Sequence, residues 1–253
     1  MTSLTLSIVS HGHAKMVLNF LAQLDGELSL KGTKVILTLN NGEVIDTPNY
    51  QNIEVVTVCN SYPRGFGANH NAAFELCNTT WFAVLNPDLK LDKSEPFTKL
   101  VNLCCNDQLS KVGLIAPKII DEKGMPEDSV RENLSLWSVI KRQLFGRVII
   151  NEHIYHDQKT KFLWFGGMCL LLNSAAFKAV GGFDQRFFLY CEDYDLCARL
   201  HIHGYQLLYS PEISIVHMAQ RDSHRSIHHF FLHISSLIRV WISAPFWRIC
   251  FFG

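Results

Sequence analysis

The chain has 253 residues, and its 23 basic and 23 acidic side chains cancel, which excludes a whole-molecule field of the kind that gathers nucleic acid. Hydrophobic residues make up 48% of it, enough for one large core and too many for a disordered or solvating chain. Arg239 and Pro245 interrupt the longest apolar stretch, so no clean membrane span is expected, and the N-terminus lacks the basic region of a signal peptide.

Leu4 to Val9 has the continuous apolar character of a buried strand. It runs into Ser10-His11-Gly12-His13, a loop before a helix whose Met16, Val17, Phe20, Leu21 and Leu24 fall on one face. Lys34 to Leu39 and Ile53 to Val58 read as the next strands. This rhythm predicts parallel pairing through right-handed crossovers, with ligands bound beyond the carboxyl ends of the strands. Ser10 to His13, Asn40-Asn41 and Asn60-Ser61 then share one rim.

In Arg64-Gly65-Phe66-Gly67-Ala68-Asn69-His70-Asn71, two glycines before a helix allow backbone amides to approach a phosphate. A plain loop-to-helix turn explains the pattern equally well, and the missing third glycine argues against a dinucleotide fold. Trp81 to Leu85 is a buried strand ending at Asn86-Pro87-Asp88, where proline stops the ladder and presents Asp88 at the same rim. A single carboxylate beside a phosphate suits a divalent cation, although Asn-Pro-Asp also serves as an ordinary turn. Ser94 caps a helix through Phe97, Leu100, Val101 and Cys104, and Val112 to Pro117 is a further strand. A polar loop, Asp121 to Glu127, precedes Ser129-Val130-Arg131 and a helical stretch from about Leu134 to Leu144. Phe162 to Leu172 reads as one strand, with Gly166-Gly167 marking close approach to a ligand or another backbone.

From Gly182 to Leu200 the chain places Phe187, Phe188, Leu189 and Tyr190 directly before Glu192, Asp193 and Asp195. This is a helix entrance, and acidic groups in a first turn are stabilised by the helix dipole alone. The aromatic run is expected to wall Glu192 and Asp193, and a desolvated carboxylate has the raised pKa of a general base. Short strands follow at Gln206 to Ser210 and Ile213 to His217. The last segment, Ser226 to Phe252, alternates Phe230, Phe231, Ile234, Leu237, Ile238, Trp241, Phe246, Trp247 and Phe251 with basic residues. As an amphipathic helix it either packs on the core or lies among lipid headgroups, where Arg221, Arg225, Arg239 and Arg248 suit an anionic surface. The eight cysteines lack paired metal-site spacing and read as reduced thiols.

Taken in order, Ser-His-Gly-His at 10–13, Gly65-Phe66-Gly67 with Asn69 and Asn71, Asn86-Pro87-Asp88, Gly181-Gly182-Phe183-Asp184 and Glu192-Asp193 with Asp195-Leu196-Cys197 resemble the family 2 glycosyltransferases. Within them the chain is most similar to bacterial rhamnosyltransferases that act on N-acetylglucosaminyl-diphospho-polyprenol in O-antigen or cell-wall assembly. The resemblance implies an α/β fold of GT-A type, with a mostly parallel nucleotide-binding sheet flanked by helices. It assigns residues 1–222 to the transferase domain and 223–253 to an amphipathic, membrane-associating segment. The implied reaction is inverting and metal-dependent, moving L-rhamnose from dTDP-L-rhamnose to a lipid-diphosphate-linked saccharide on the inner, cytoplasmic face of a bacterial plasma membrane.

Position by position, the resemblance implies Asp193 as base with Glu192 beside it. It implies Asp88, in Asn-Pro-Asp rather than Asp-x-Asp form, and His217 as ligands of Mg²⁺ or Mn²⁺. The implied donor set is Ser10, His11, Gly12, Asn40, Gly65, Gly67, Asn71, Asn86 and Arg131, and the implied acceptor set is Trp164, Gly166, Gly167, Arg221 and Arg225. Another donor sugar, such as galactofuranose or a hexose, and a non-catalytic nucleotide-sugar-binding paralogue stay open. Relatives commonly carry an aspartate for the nucleobase at the end of the second strand, where this chain has Leu39 before Asn40.

Overall fold

The computed structural model describes residues 4–91, 95–104, 111–135, 137–140, 162–218 and 227–252. In chain order the elements are β1 (Leu4–Ser10), α1 (Ala14–Asp25), β2 (Thr33–Leu39), β3 (Ile53–Cys59), α2 (Phe66–Phe74), β4 (Trp81–Leu85), β5 (Leu89–Lys90), α3 (Pro96–Cys104), β6 (Val112–Ile120), β7 (Val130–Glu132), β8 (Leu163–Phe165) and β9 (Cys169–Asn173). They continue with α4 (Ser174–Ala179), α5 (Glu192–Ile202), β10 (Gln206–His217), α6 (Ile227–Trp241) and α7 (Ala244–Phe252).

Eight strands form one sheet in the order β3-β2-β1-β4-β9-β6-β10-β5, and β7 pairs with β8 in a separate ribbon. β3, β2, β1 and β4 are mutually parallel, as are β6 and β10; β9 runs antiparallel between β4 and β6. The expected α/β architecture is therefore observed, with a mixed insertion at its centre. Side chains alternate across β4: Phe82 and Val84 join one core cluster while Trp81, Ala83 and Leu85 join the other. That period of two buries both faces of the sheet. His70 of α2 is fully buried, its Nδ1 2.8 Å from the Ser7 hydroxyl of β1. Burial pushes its imidazole down to about 3, so it is a neutral core residue that ties α2 to the sheet.

Three elements differ from expectation. β10 is one strand of 12 residues rather than two, because a register shift between Ser210 and Ser214 absorbs Pro211, which has no N–H for the ladder. The expected strand over Phe162 to Leu172 is two, β8 and β9, lying in different sheets and separated at Gly166-Gly167-Met168. Of the helix expected at 134–144, residues 137–140 are helical; residues 136 and 141–144, like Ser94, lie outside the described residues.

α6 and α7 turn one face inward, with Leu237, Val240, Phe246 and Ile249 buried in the same cluster as Tyr194 and Leu196 of α5. Their other face leaves Phe230, Phe231, Ile238, Trp247 and Phe251 exposed. Among the described residues no single helix is long and apolar enough to cross a membrane; His229–Trp241 and Ala244–Phe251 reach that length and hydropathy only together, bent by 58°.

Candidate active site

The parallel strands all end on one edge, so the loops after Ser10, Leu39, Cys59, Leu85 and His217 form a common rim. At its near end Asn40 is buried. Its Nδ2 donates to the Arg64 carbonyl at 2.9 Å, and its Oδ1 accepts the Arg64 amide at 3.0 Å. Asn69 donates to the same carbonyl and accepts from Asn60, so three asparagines fix the Arg64 loop. His11 Nδ1 lies 3.3 Å from the Asn40 amide nitrogen, and the Gly12 amide donates to Glu43 at 2.9 Å. Ser10 is buried.

At the centre of the rim stands the first acidic corner. β5 pairs antiparallel with the end of β10, setting His217 beside Leu89. There His217 Nε2 lies 3.1 Å from Asp88 Oδ2 and Nδ1 lies 2.9 Å from Glu127 Oε2. Burial alone would lower the imidazole pKa, but Asp88 and Glu127 outweigh it and raise it. Only a doubly protonated ring satisfies two carboxylate acceptors.

Among the described residues Asp88 Oδ1 is buried with no hydrogen-bond partner. An orphaned carboxylate oxygen fits a bound cation, since a buried acceptor left alone is costly. Among the described residues no three His, Cys, Asp or Glu side chains converge to hold a metal by themselves. A divalent cation here would rest on Asp88, with His217 as a second ligand once its Nε2 proton is displaced, and on oxygens from outside the protein.

The second corner is built at the start of α5. Cys191, the residue before the helix, has φ of 64°. Asp193 follows in the first turn, where Oδ1 accepts the Tyr194 amide at 2.8 Å and Oδ2 accepts the Gly167 amide at 3.0 Å. A Cβ at Gly167 would sit a tight 3.3 Å from Phe66 Cζ and at an ordinary 3.8 Å from Asp193 Oδ2, so the missing side chain makes room for the Phe66 ring. Burial raises the Asp193 pKa against the pull of Arg131 and of the Tyr194, Gly167 and Asp193 backbone amides. Burial, with the neighbouring Asp193 charge, holds Glu192 well above the usual carboxylate range, and Glu192 Oε2 has no hydrogen-bond partner among the described residues. The third carboxylate, Asp195, is instead paired with Arg199 at 2.7 Å, while Arg199 Nη1 donates to the Val180 carbonyl; it pins the helix to the preceding turn.

Short bonded paths connect the corners. The Asn86 amide donates to the Met168 carbonyl at 2.9 Å, so the residue after Gly167 is tied two positions from Asp88. The segment 127–131 spans the same gap. Glu127 meets His217, Ser129 accepts the Gly166 amide at 2.7 Å, and Arg131, held by Asp128 at 3.3 Å, lies close enough to Asp193 to lower its pKa. An open groove of about 840 Å³, lined by Gly12, Lys15, Pro87, Lys90 and Met218 among others, passes beside Asp88; neither Asp88, His217 nor Asp193 lines it.

Other sequence candidates occupy less direct places. A Cβ on Gly65 would lie 2.6 Å from the Phe188 carbonyl oxygen, and one on Gly67 2.6 Å from Phe183 Cβ. Both glycines are thus demanded by packing of α2 against the 183–188 segment. Asn71 directs its amide oxygen and nitrogen at the Phe183 backbone, each at 2.8 Å, so both ends of that amide are engaged within the protein. Trp164 is 2% exposed, its indole N–H bonded to the Glu132 carbonyl and its ring 4.7 Å from the Arg131 guanidinium; it backs Arg131 from inside. The aromatic run is not a single wall: Phe187 is buried, Phe188 is 45% exposed, and Phe66 supplies the ring near Gly167. Arg221 and Arg225 lie outside the described residues. Glu127 and Phe66 were not identifiable from the sequence, because their partners His217 and Gly167 are far along the chain.

The family described as "Glycosyltransferase like family 2" matches residues 38–231. Rhamnosyltransferase WbbL of Escherichia coli is 27% identical over 226 residues, covering 85% of this chain and 83% of that protein. The N-acetylglucosaminyl-diphospho-decaprenol L-rhamnosyltransferase of Mycobacterium tuberculosis is 27% identical over 256 residues, covering 89% and 82%. Among solved structures, the mannosyltransferase PcManGT of Pyrobaculum calidifontis, in complex with GDP-Man and Mn²⁺, superimposes with a TM-score of 0.61 at 12% identity, over 98% of this chain and 67% of that one. GalNAc-T7 with UDP, GalNAc and Mn²⁺ gives 0.59 at 12% identity over 96% of this chain, which spans about half (48%) of that structure.

Proposed function

The chain belongs to glycosyltransferase-like family 2, and on that premise we propose that it moves L-rhamnose from dTDP-L-rhamnose, with inversion and a divalent cation, onto a polyprenyl-diphosphate-linked saccharide. The observation that carries this reading is the pairing of two acidic corners on one rim, Asp88 with His217 and Glu192 with Asp193, joined through the 127–131 segment and the Asn86–Met168 bond. The two rhamnosyltransferase relatives support the sugar, and the lipid-linked saccharide in the name of the second supports the acceptor.

In this mechanism Asp193 takes the proton from the acceptor hydroxyl as it attacks the anomeric carbon, and the carboxyl pKa raised by burial suits that task. The Gly167 and Tyr194 amides orient the carboxylate. Arg131 pulls its pKa back down, and beside it burial and the Asp193 charge push the Glu192 carboxyl up. Asp88 and His217 would hold the divalent cation, Mg²⁺ or Mn²⁺, which when bound would supply Lewis-acid stabilisation of the leaving diphosphate. At the β1–β2 rim, where Leu39 offers no acceptor, Glu43 is the carboxylate within reach of Gly12; it and the Asn40 network are the groups available to a nucleobase.

The outer face of α6 and α7, with Phe230, Phe231 and Trp247 exposed, rests on the inner leaflet that carries the acceptor. Substituting Phe230 and Phe231 by serine is expected to release the protein from anionic vesicles in a flotation assay, and undiminished flotation removes the membrane role. The reaction itself is tested by incubating the protein with dTDP-L-rhamnose and polyprenyl-diphosphate-linked N-acetylglucosamine, with and without EDTA. Cation-dependent transfer, with product anomeric configuration opposite to the donor's by NMR, is expected. Turnover of a different sugar nucleotide alone overturns the donor, and full turnover in EDTA overturns the metal.

A further inference from the structure

Tyr190 and Cys191 are consecutive residues with positive φ, 73° and 64°, a conformation unfavourable for any side chain with a Cβ. Strain of this kind persists only where surrounding contacts enforce it. Those contacts come largely from α6. The buried Ser236 hydroxyl donates to the Leu189 carbonyl at 2.9 Å, and the Tyr190 hydroxyl lies 2.9 Å from His229 Nδ1. The Tyr190 ring sits 5.0 Å from that of His233, and the Arg239 guanidinium lies 5.7 Å from the Phe187 ring. From the opposite side the Phe66 amide donates to the Phe188 carbonyl at 2.9 Å. The turn opens directly into α5, where the Asp195 amide donates to the Cys191 carbonyl at 3.0 Å.

We infer that α6 is a strap for the catalytic turn: Ser236, His229 and Tyr190 are positioning residues that hold residues 189–191 in their left-handed path and so aim Asp193 at the Gly167 amide. This rests on Asp193 being the base. Released from the strap, the turn relaxes toward ordinary backbone angles, and the first turn of α5 rotates with it. Among the described residues the side-chain bonds of Asp88 and His217 go to each other and to Glu127, none to α6 or to residues 189–191, so the defect falls on the chemical step rather than on donor binding.

The test compares Ser236→Ala, Tyr190→Ala and Tyr190→Gly in the full chain. Loss of one hydrogen bond in Ser236→Ala is expected to lower kcat about five-fold with the donor KM within about two-fold. Glycine adopts this backbone freely, so Tyr190→Gly is expected to turn over about five-fold faster than Tyr190→Ala. A side chain that merely packs gives the opposite order, because alanine keeps the Cβ. Alanine equal to or faster than glycine, or a loss confined to KM, overturns the strap. Amide exchange of the unliganded protein provides a readout independent of turnover: the Tyr194 and Asp195 amides are expected to exchange about five-fold faster in Ser236→Ala than in the parent. Unchanged exchange overturns the inference. A parent protein that transfers no sugar, yet shows this exchange response, refutes the proposed reaction and leaves the strap standing.

Discussion

The corner at Asp88 and the corner at Asp193 stand on the same rim and hold the same kind of side chain, yet they are neutralised differently. Asp88 and Glu127 share one imidazole whose pKa they raise, leaving one Asp88 oxygen buried and without a partner among the described residues. Among the described residues Glu192 and Asp193 face no such cation at hydrogen-bond range, and burial pushes both carboxyls up. The first arrangement accommodates positive charge; the second retains a proton at pH values where an ordinary carboxyl has lost it. Environments that push like groups apart in this way divide the labour between charge stabilisation and acid–base work.

The comparison breaks most visibly at Asp193. Asp193→Asn is expected to lower transfer by about 10³-fold or more with donor affinity in Mn²⁺ kept within about two-fold; a fully active variant removes the base. Asp88→Ala is expected to do the reverse first, weakening calorimetric donor affinity in Mn²⁺ by roughly 10- to 100-fold. Unchanged affinity there makes the two corners equivalent and the division false.

Glu192→Gln sharpens the second corner by stability. Because the folded carboxyl pKa is raised, its contribution favours the fold below the unfolded value of about 4.3 and is lost as pH rises through the folded one. Urea denaturation at pH 8 is therefore expected to find Glu192→Gln more stable than the parent by about 1–3 kcal/mol, with the advantage disappearing toward pH 4. Equal stability at both pH values contradicts a buried, uncompensated carboxyl. The smallest effect is expected from Arg131→Met. Asp193 must ionise to act, so activity rises with pH through its raised pKa, and loss of the Arg131 charge moves that ascending limb to higher pH. A limb that stays in place separates Arg131 from the base.

Much of this architecture was legible along the chain. Trp81 to Leu85 has the bounds expected of it, the helix entrance falls at Glu192, and the loops after Ser10 and Leu39 do share a rim, because apolar runs and helix-entry signals are local. What stayed hidden is non-local. Nothing in Cys169 to Asn173 announces that it runs antiparallel between β4 and β6, and it is this insertion that carries Gly167 to Asp193. Glu127 lies 90 positions from His217 in a loop whose polarity is ordinary. Gly65 and Gly67 suggested a phosphate loop in sequence, while their close approaches are to Phe188 and Phe183. Glycine spacing reports that something comes near the backbone, and the fold decides what. The C-terminal segment read as either core or membrane helix; α6 and α7 have one buried face and one exposed face.

The most direct measurement is a crystal structure of the Asp193→Asn protein soaked with dTDP-L-rhamnose and Mn²⁺. The division between the corners predicts anomalous density for Mn²⁺ on Asp88 and the donor diphosphate, with the anomeric carbon facing position 193 across a gap that admits one acceptor hydroxyl. Manganese bound elsewhere, or a sugar turned away from position 193, contradicts it.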